Sequence, residues 1–217
     1  GSAASLDPLV TRAISLQKPD GHFGGPITTG QVTTDDMALL WGNGRLLVGL
    51  VEYYTLSHRA DVLAAARKLG DFLVAQAPRF NAEAVKDEFN KQKFASGYIC
   101  WTQNVESFAL LYRVTKDPRY LNLAKEIAAR TDRHPAQHSH GFLTSIRGVL
   151  DLYRITSDRR YLDQARAARQ GVIDSGNVRV SGAIPEMFAP ENKRDEGCSE
   201  ADWLRLGAAS TLQELID

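Results

Sequence analysis

The chain has 217 residues, 43% of them hydrophobic and 24% charged, the balance of a globular protein long enough to bury a core. Lysine plus arginine and aspartate plus glutamate both number 26, so the formal net charge is zero and bulk charge draws it to neither nucleic acid nor an anionic membrane surface. No apolar run approaches the roughly 20 residues that span a bilayer, and Gly1-Ser2-Ala3-Ala4 lacks the charged and apolar regions of a signal peptide, so the expectation is a protein without a membrane partner, its compartment open and the cytoplasm slightly favoured.

Apolar spacing predicts helices over roughly 5–17, 35–57, 60–76, 103–115, 118–131, 141–156, 159–173 and 199–215. Val62, Ala66, Leu69 and Leu73 form one stripe, Val105, Phe108, Ala109 and Tyr112 a second, and Phe142, Ile146, Val149, Leu150 and Tyr153 a third. Between the helices an internal repeat stands out. Tyr112-Arg113-Val114-Thr115-Lys116-Asp117-Pro118-Arg119-Tyr120-Leu121 returns 41 residues later as Tyr153-Arg154-Ile155-Thr156-Ser157-Asp158-Arg159-Arg160-Tyr161-Leu162, with a weaker copy at Tyr53 to Arg59. Each copy runs out of one helix, through a polar turn and into the next. Longer irregular stretches, roughly 18–34, 79–102, 132–140 and 174–198, join one hairpin to the next. Short turns within hairpins and long connections between them predict an all-α fold, a solenoid or an α/α toroid, with its functional face on the long connections.

Those connections carry the unusual residues. His22-Phe23-Gly24-Gly25 precedes Trp41-Gly42-Asn43-Gly44-Arg45. Trp41, Asn43 and Arg45 would offer an aromatic platform and hydrogen-bonding groups to a sugar, or mark an irregular helix entry with an amphipathic Trp in the core. In Gln137-His138-Ser139-His140-Gly141 the two histidines are at i, i+2, which is not one helix face. One of them would bond a ligand or cap the following helix. Glu186 lies between Ile184, Pro185, Met187 and Phe188, and burial there would raise its pKa and keep on it the proton a general acid needs. Glu196 and Cys198 form a Glu-x-Cys pair before a helix. They would be half of a tetrahedral zinc site, or a capping carboxylate beside a small buried hydrophobe. Cys100, the other cysteine, is too distant in sequence to suggest a disulfide framework.

With these motifs in place, the segment from Ser181 to Trp203, the histidine-rich helix start and the repeated hairpins together resemble the non-reducing-end β-L-arabinofuranosidase family of glycoside hydrolases. That family folds as an (α/α)6 toroid, and its pattern runs Gly-Gly-Ile, a Glu-Ala-Phe-like acid motif, then Glu-Thr-Cys-Ala at a helix start. Here stand Gly182-Ala183-Ile184, Glu186-Met187-Phe188 and Glu196-Gly197-Cys198-Ser199. The resemblance implies Glu186 as general acid/base and Glu196 and Cys198 as zinc ligands. It also implies a sugar contact at His140, because His140-Gly141-Phe142-Leu143-Thr144-Ser145-Ile146 is similar to the family's His-Ala-Asn-Thr-x-Ile. His138, Trp41, Asn43 and Arg45 join it as candidate sugar contacts.

In that family a zinc-bound thiolate attacks the anomeric carbon while the acid protonates the leaving oxygen. Its nucleophile and remaining zinc ligand come from a Cys-Cys pair further along, whereas no cysteine follows Cys198, and the Glu186–Glu196 loop is shorter than the family's. Eight helices stand where six hairpins need twelve. The expectation is therefore one helical-hairpin domain over 1–217 forming a partial (α/α) toroid, shorter than or a fragment of the full ring, with a second copy or another segment covering its exposed helix faces. Two other readings stay open: a non-catalytic helical repeat module binding carbohydrate or protein, and another toroid sugar enzyme, an epimerase moving a proton at carbon through His138 or His140 or an unsaturated-uronyl hydrolase.

Overall fold

A computed structural model describes residues 3–91, 97–131, 137–189 and 194–216. A 3-10 turn (Ala3–Leu6) leads into α1 (Asp7–Ile14), followed by α2 (Thr34–Ser57), α3 (Ala60–Phe80), α4 (Glu83–Lys91), α5 (Ile99–Thr102), α6 (Asn104–Thr115), α7 (Pro118–Ala128), α8 (Ser139–Thr156), α9 (Arg159–Asp174) and α10 (Gly197–Ile216). Within the connections read as irregular, residues 92–96, 132–136 and 190–193, the last of them in the Glu186–Glu196 loop, lie outside the described residues.

The repeat is a hairpin device that can be read atom by atom. α2, α6 and α8 each end on a residue in the left-handed region: His58 (φ 53), Lys116 (φ 57) and Ser157 (φ 58). Their N–H groups donate to the carbonyls of Tyr54, Tyr112 and Tyr153, which satisfies an otherwise orphaned helix terminus. The next residue is extended and starts the returning helix. Asp117 and Asp158 cap α7 and α9 by accepting from the N–H groups of Arg119 and Arg160. Arg59 takes the same place before α3 without a side-chain cap. A hydroxyl two residues earlier, Ser57, Thr115 or Thr156, accepts from the N–H of Arg59, Asp117 or Asp158. Tyr54 is thus the counterpart of Tyr112 and Tyr153.

The hairpins α2–α3, α6–α7 and α8–α9 stand side by side. α2, α6, α8 and α10 form the inner row, each touching the next, while α3, α7 and α9 pack outside it. This is part of an (α/α) toroid. The inner helices are the more enclosed: α8 buries every residue from Gly141 to Leu152, while α9 buries only Leu162, Ala165 and Val172. The buried apolar residues of both rows form one contiguous cluster. Small residues sit where inner helices cross. A Cβ on Gly44 would come within 2.3 Å of Asn104 Oδ1, one on Gly148 within 2.3 Å of the Glu106 backbone nitrogen, and Ser107 Oγ donates to the Gly44 carbonyl at 2.9 Å.

Two stretches depart from the sequence expectation. The segment before α6, read as irregular, contains α4 and α5. Phe80, Phe89, Tyr98 and Trp101 stack edge to face or tilted at 5.5–5.7 Å, Trp101 Nε1 donates to Asn81 Oδ1 and Tyr98 Oη to the Phe80 carbonyl. This aromatic cluster gives two short helices the burial that their length alone does not provide. Conversely α1 stops at Ile14, where the expectation ran to 17, and it buries no residue fully.

The helix crossings yield a paired expectation. Ala is the better helix former by about 1 kcal/mol, so Gly49→Ala, where nothing lies within 4 Å of the new Cβ, should raise stability by up to that amount. Gly148→Ala should instead lower it by about 1–3 kcal/mol, because its obstacle is backbone that cannot rotate away. Urea denaturation of the two variants measures the difference.

Candidate functional site

Three extended segments meet above the inner row and bring the sequence candidates together. Phe188 N donates to the Gln137 carbonyl at 3.0 Å, Ser139 N to the Glu186 carbonyl at 2.8 Å, and Glu186 N to the Arg194 carbonyl at 2.8 Å. These are isolated antiparallel bridges, His138 to Met187 and Pro185 to Asp195. Ser139 Oγ adds a bond to the Pro185 carbonyl. Glu186 is therefore held between the start of α8 and the approach to α10.

At the starts of those two helices, His138 Nε2 lies 3.0 Å from Glu196 Oε2, and Cys198 Sγ donates to the same oxygen at 3.0 Å. One ligand atom from each of His138, Glu196 and Cys198 falls within 4.8 Å of the others. His138 thus stands among the metal-type ligands, where the sequence reading made it a sugar contact. Helix-face spacing speaks against pairing it with His140 as a ligand, but His138 lies outside the helix, at the N-cap of α8. Burial lowers the His138 pKa against the opposing pull of Glu196. The Cys198 hydrogen bond, and His138 after it, lower that of Glu196. Burial and Glu196 push the Cys198 thiol up to about 11, so without a cation the sulfur keeps its proton.

Trp41, on the inner helix α2, closes one side. Its ring is 5.7 Å from that of His138 and 5.5 Å from that of His140, and the two imidazoles are 5.8 Å apart. Gly141 makes the room: a Cβ there would lie 2.7 Å from the Trp41 ring. Trp41 and Arg45 are one helical turn apart, whereas Asn43 points elsewhere. Its amide accepts from Phe23 N and donates to the carbonyls of Phe23 and Leu39, so it pins the 22–25 loop against α2. Alternation places three residues together only on a strand, and α2 is an unbroken helix.

Glu186 does not sit in the apolar setting its neighbours suggested. Ile184, Pro185 and Phe188 are buried, but both oxygens of the half-buried carboxylate accept from the exposed Arg194, from Nε at 2.7 Å and also from Nη2. The bridges fix the backbone so that apolar neighbours and carboxylate part company.

Beneath the cluster a chain of buried charges crosses all four inner helices. Arg45 Nη1 bonds Glu106 Oε2 at 2.8 Å, Arg147 Nη2 bonds Glu106 Oε1 at 2.6 Å, and Arg147 Nη1 and His140 Nδ1 both contact Asp202. Burial alone would raise Glu106, but the charges of Arg45 and Arg147 hold it below the usual carboxylate value. Burial, with Arg45 and Arg147, pushes His140 down to about 4. No local motif in the sequence marks Glu106, Arg147 or Asp202. The one available signal was a charge at repeat-equivalent positions, 106 and 147, inside apolar stripes.

The fold marks the class as an (α/α)-toroid protein. The model of the β-L-arabinofuranosidase GH127 catalytic domain matches residues 2–144, and the chain belongs to that family. The match ends before Glu186, Glu196 and Cys198. No curated protein sequence matches the chain. Among solved structures it is similar to a GH127 β-L-arabinofuranosidase from Geobacillus stearothermophilus T6 (16% identity, TM-score 0.64, 95% of this chain and 40% of that one). It is also similar to a D-mannose isomerase (13%, TM-score 0.66, 98% and 68%) and a GH76 α-mannanase of Bacteroides thetaiotaomicron (16%, TM-score 0.60, 96% and 62%). The chain thus spans less than two thirds of the mannanase and two fifths of the arabinofuranosidase. At these identities the likenesses establish the toroid fold. Among the described residues no helix is long and apolar enough to cross a membrane.

Removing one member of the buried chain leaves its partners charged and desolvated. Glu106→Gln should destabilise by about 3–5 kcal/mol in urea denaturation. The Glu106 pKa is depressed in the folded chain, so its contribution is full above the unfolded value near 4.5 and fades as pH falls through the folded value. Stability profiles of wild type and variant should therefore converge toward acid.

Proposed function

We propose that this chain carries the acid/base and metal-binding part of a glycoside hydrolase site acting on terminal β-L-arabinofuranosides. The observation that supports it is the gathering of His138, Glu196 and Cys198 beside Trp41 and His140 at the mouth of the inner helices, together with membership of the family. The donor set suits zinc: one imidazole nitrogen, one carboxylate oxygen and one sulfur, on ligand atoms all within 4.8 Å. Bound there, zinc would supply the positive charge that turns the Cys198 thiol into a thiolate.

The rest is the work of the chain's own side chains. Trp41 presents an aromatic face to the apolar side of a sugar ring, and His140 offers a ring nitrogen to a hydroxyl. Glu186 gives its proton to the glycosidic oxygen as that oxygen leaves the anomeric carbon, and takes one back from the water whose oxygen replaces it there. Arg194 grips both of its oxygens, so a bound substrate has to displace that contact before Glu186 reaches the bond to be broken. Arg45 acts from below, through Glu106, and not as a direct sugar contact.

Elemental analysis of the purified chain should find near-stoichiometric zinc that falls in Cys198→Ala and in His138→Ala. Zinc retained by the His138 variant would return His138 to the sugar contacts, and no zinc in the folded wild type would sink the metal reading. On a β-L-arabinofuranosyl disaccharide, whose sugar leaving group needs the proton, the hydrolysis the chain supports should fall at least about a hundredfold in Glu186→Gln. Loss of activity in His140→Ala but not in Glu186→Gln would favour proton transfer at carbon, as in an epimerase.

A further inference from the structure

The arginine of the Tyr-Arg repeat has no part in the site above. Arg113 on α6 and Arg154 on α8 hold equivalent places in the two copies, and both line a cavity of about 210 Å3 shared by all four inner helices. The cavity starts at the buried pair of Glu106 and Arg147 and runs away from the candidate site. Arg154 follows His140 on α8 by about 21 Å of helix at 1.5 Å per residue. Asp151, Glu52 on α2 and Arg205 on α10 complete the charged wall. Three pairs account for most of it: Arg147 bonds Glu106, Arg154 Nη1 bonds Asp151 Oδ1 at 3.1 Å, and Arg205 Nη2 lies 3.6 Å from Glu52 Oε1. Arg113 is left over. It is exposed, and it makes no ion pair or hydrogen bond among the described residues.

We infer that this cavity binds an oxyanion of the phosphate class, held by Arg113 together with Arg205. A planar guanidinium presents forked N–H donors that match two phosphate oxygens at once, and Arg113 gives its fork to a ligand without breaking a bond. Arg205 gives up little more, because it and Glu52 are both over half exposed and an ion pair so placed is worth little. Burial, and then the charge of Glu106, hold the Asp151 carboxyl above its usual pKa, which leaves the wall less negative than its carboxylates alone suggest. The volume falls below the roughly 300–1,000 Å3 of pockets for drug-sized ligands. It suits a free ion, or the phosphate of an ester whose remainder stays outside. None of Trp41, His138, His140, Glu186, Glu196 and Cys198 lines this cavity, so the oxyanion site stands or falls apart from the carbohydrate reading.

Isothermal titration of inorganic phosphate into the full chain, at neutral pH and with ionic strength held constant by chloride, should show one saturable site. Arg113→Gln and Arg205→Gln each remove one exposed fork. Both should keep the wild-type circular dichroism and weaken phosphate binding about tenfold. Arg12→Gln, the same change at an exposed position on α1, should bind phosphate as the wild type does. Glucose 6-phosphate separates the sources. Binding at least as tight as that of inorganic phosphate assigns the cavity to a phosphate ester, and binding of inorganic phosphate alone assigns it to the free ion; either result upholds the oxyanion site. Absence of saturable phosphate binding to the folded chain overturns it. So does binding that Arg113→Gln leaves at the wild-type value, or that falls equally in Arg12→Gln, since that pattern marks a general effect of charge.

Discussion

Two guanidiniums and two carboxylates, Arg45, Glu106, Arg147 and Asp202, lie where the four inner helices α2, α6, α8 and α10 meet, all but the half-buried Arg45 almost out of reach of water. A desolvated charge is tolerable only with its partner at hydrogen-bonding distance, so each helix is held in rotation and in height against the next. Apolar packing at this seam is permissive, because leucines, valines and phenylalanines tolerate sliding and repacking. The charge chain is not permissive. It makes a row of repeated hairpins into a scaffold with one register, and small residues at Gly44, Ser107 and Gly148 let the backbones come close enough for the charges to meet.

The site is built on that register. Asp202 belongs to the charge chain and also contacts His140, so the imidazole above the seam is aimed by the scaffold below it. α8 and α10 both begin at the site, and the positive ends of their dipoles suit the carboxylate of Glu196 and a thiolate at Cys198. The bridges between 137–139, 185–188 and 194–195 then set Glu186 against Arg194 and keep it apart from the apolar pocket that its neighbours fill.

Family membership and site evidence cover different parts of the molecule. The family model accounts for the hairpins from residue 2 to residue 144, including Trp41, His138 and His140. The Glu186-to-Cys198 segment follows it and is tied to the matched part by the bridges to Gln137–Ser139 and by the His138–Glu196 contact. These are two independent lines, one from sequence similarity and one from geometry, and they meet at the start of α8.

Local chemistry by itself determined the helices and their hairpins. Apolar spacing, aspartate caps and the 41-residue repeat act within a few residues of each other, and the chain obeys them at α2, α6, α7, α8 and α9. Only the tertiary structure decided which polar groups meet. His138 becomes a ligand candidate through a glutamate 58 positions later, and His140 pairs with an aspartate 62 positions away. Glu186 finds an arginine where its neighbours in sequence suggested apolar burial, and α4 and α5 form because aromatic side chains from Phe80 to Trp101 close on one another. A sequence states its local preferences outright. The partner of a buried charge is set by helix register and crossing, and those exist only once the inner row has packed.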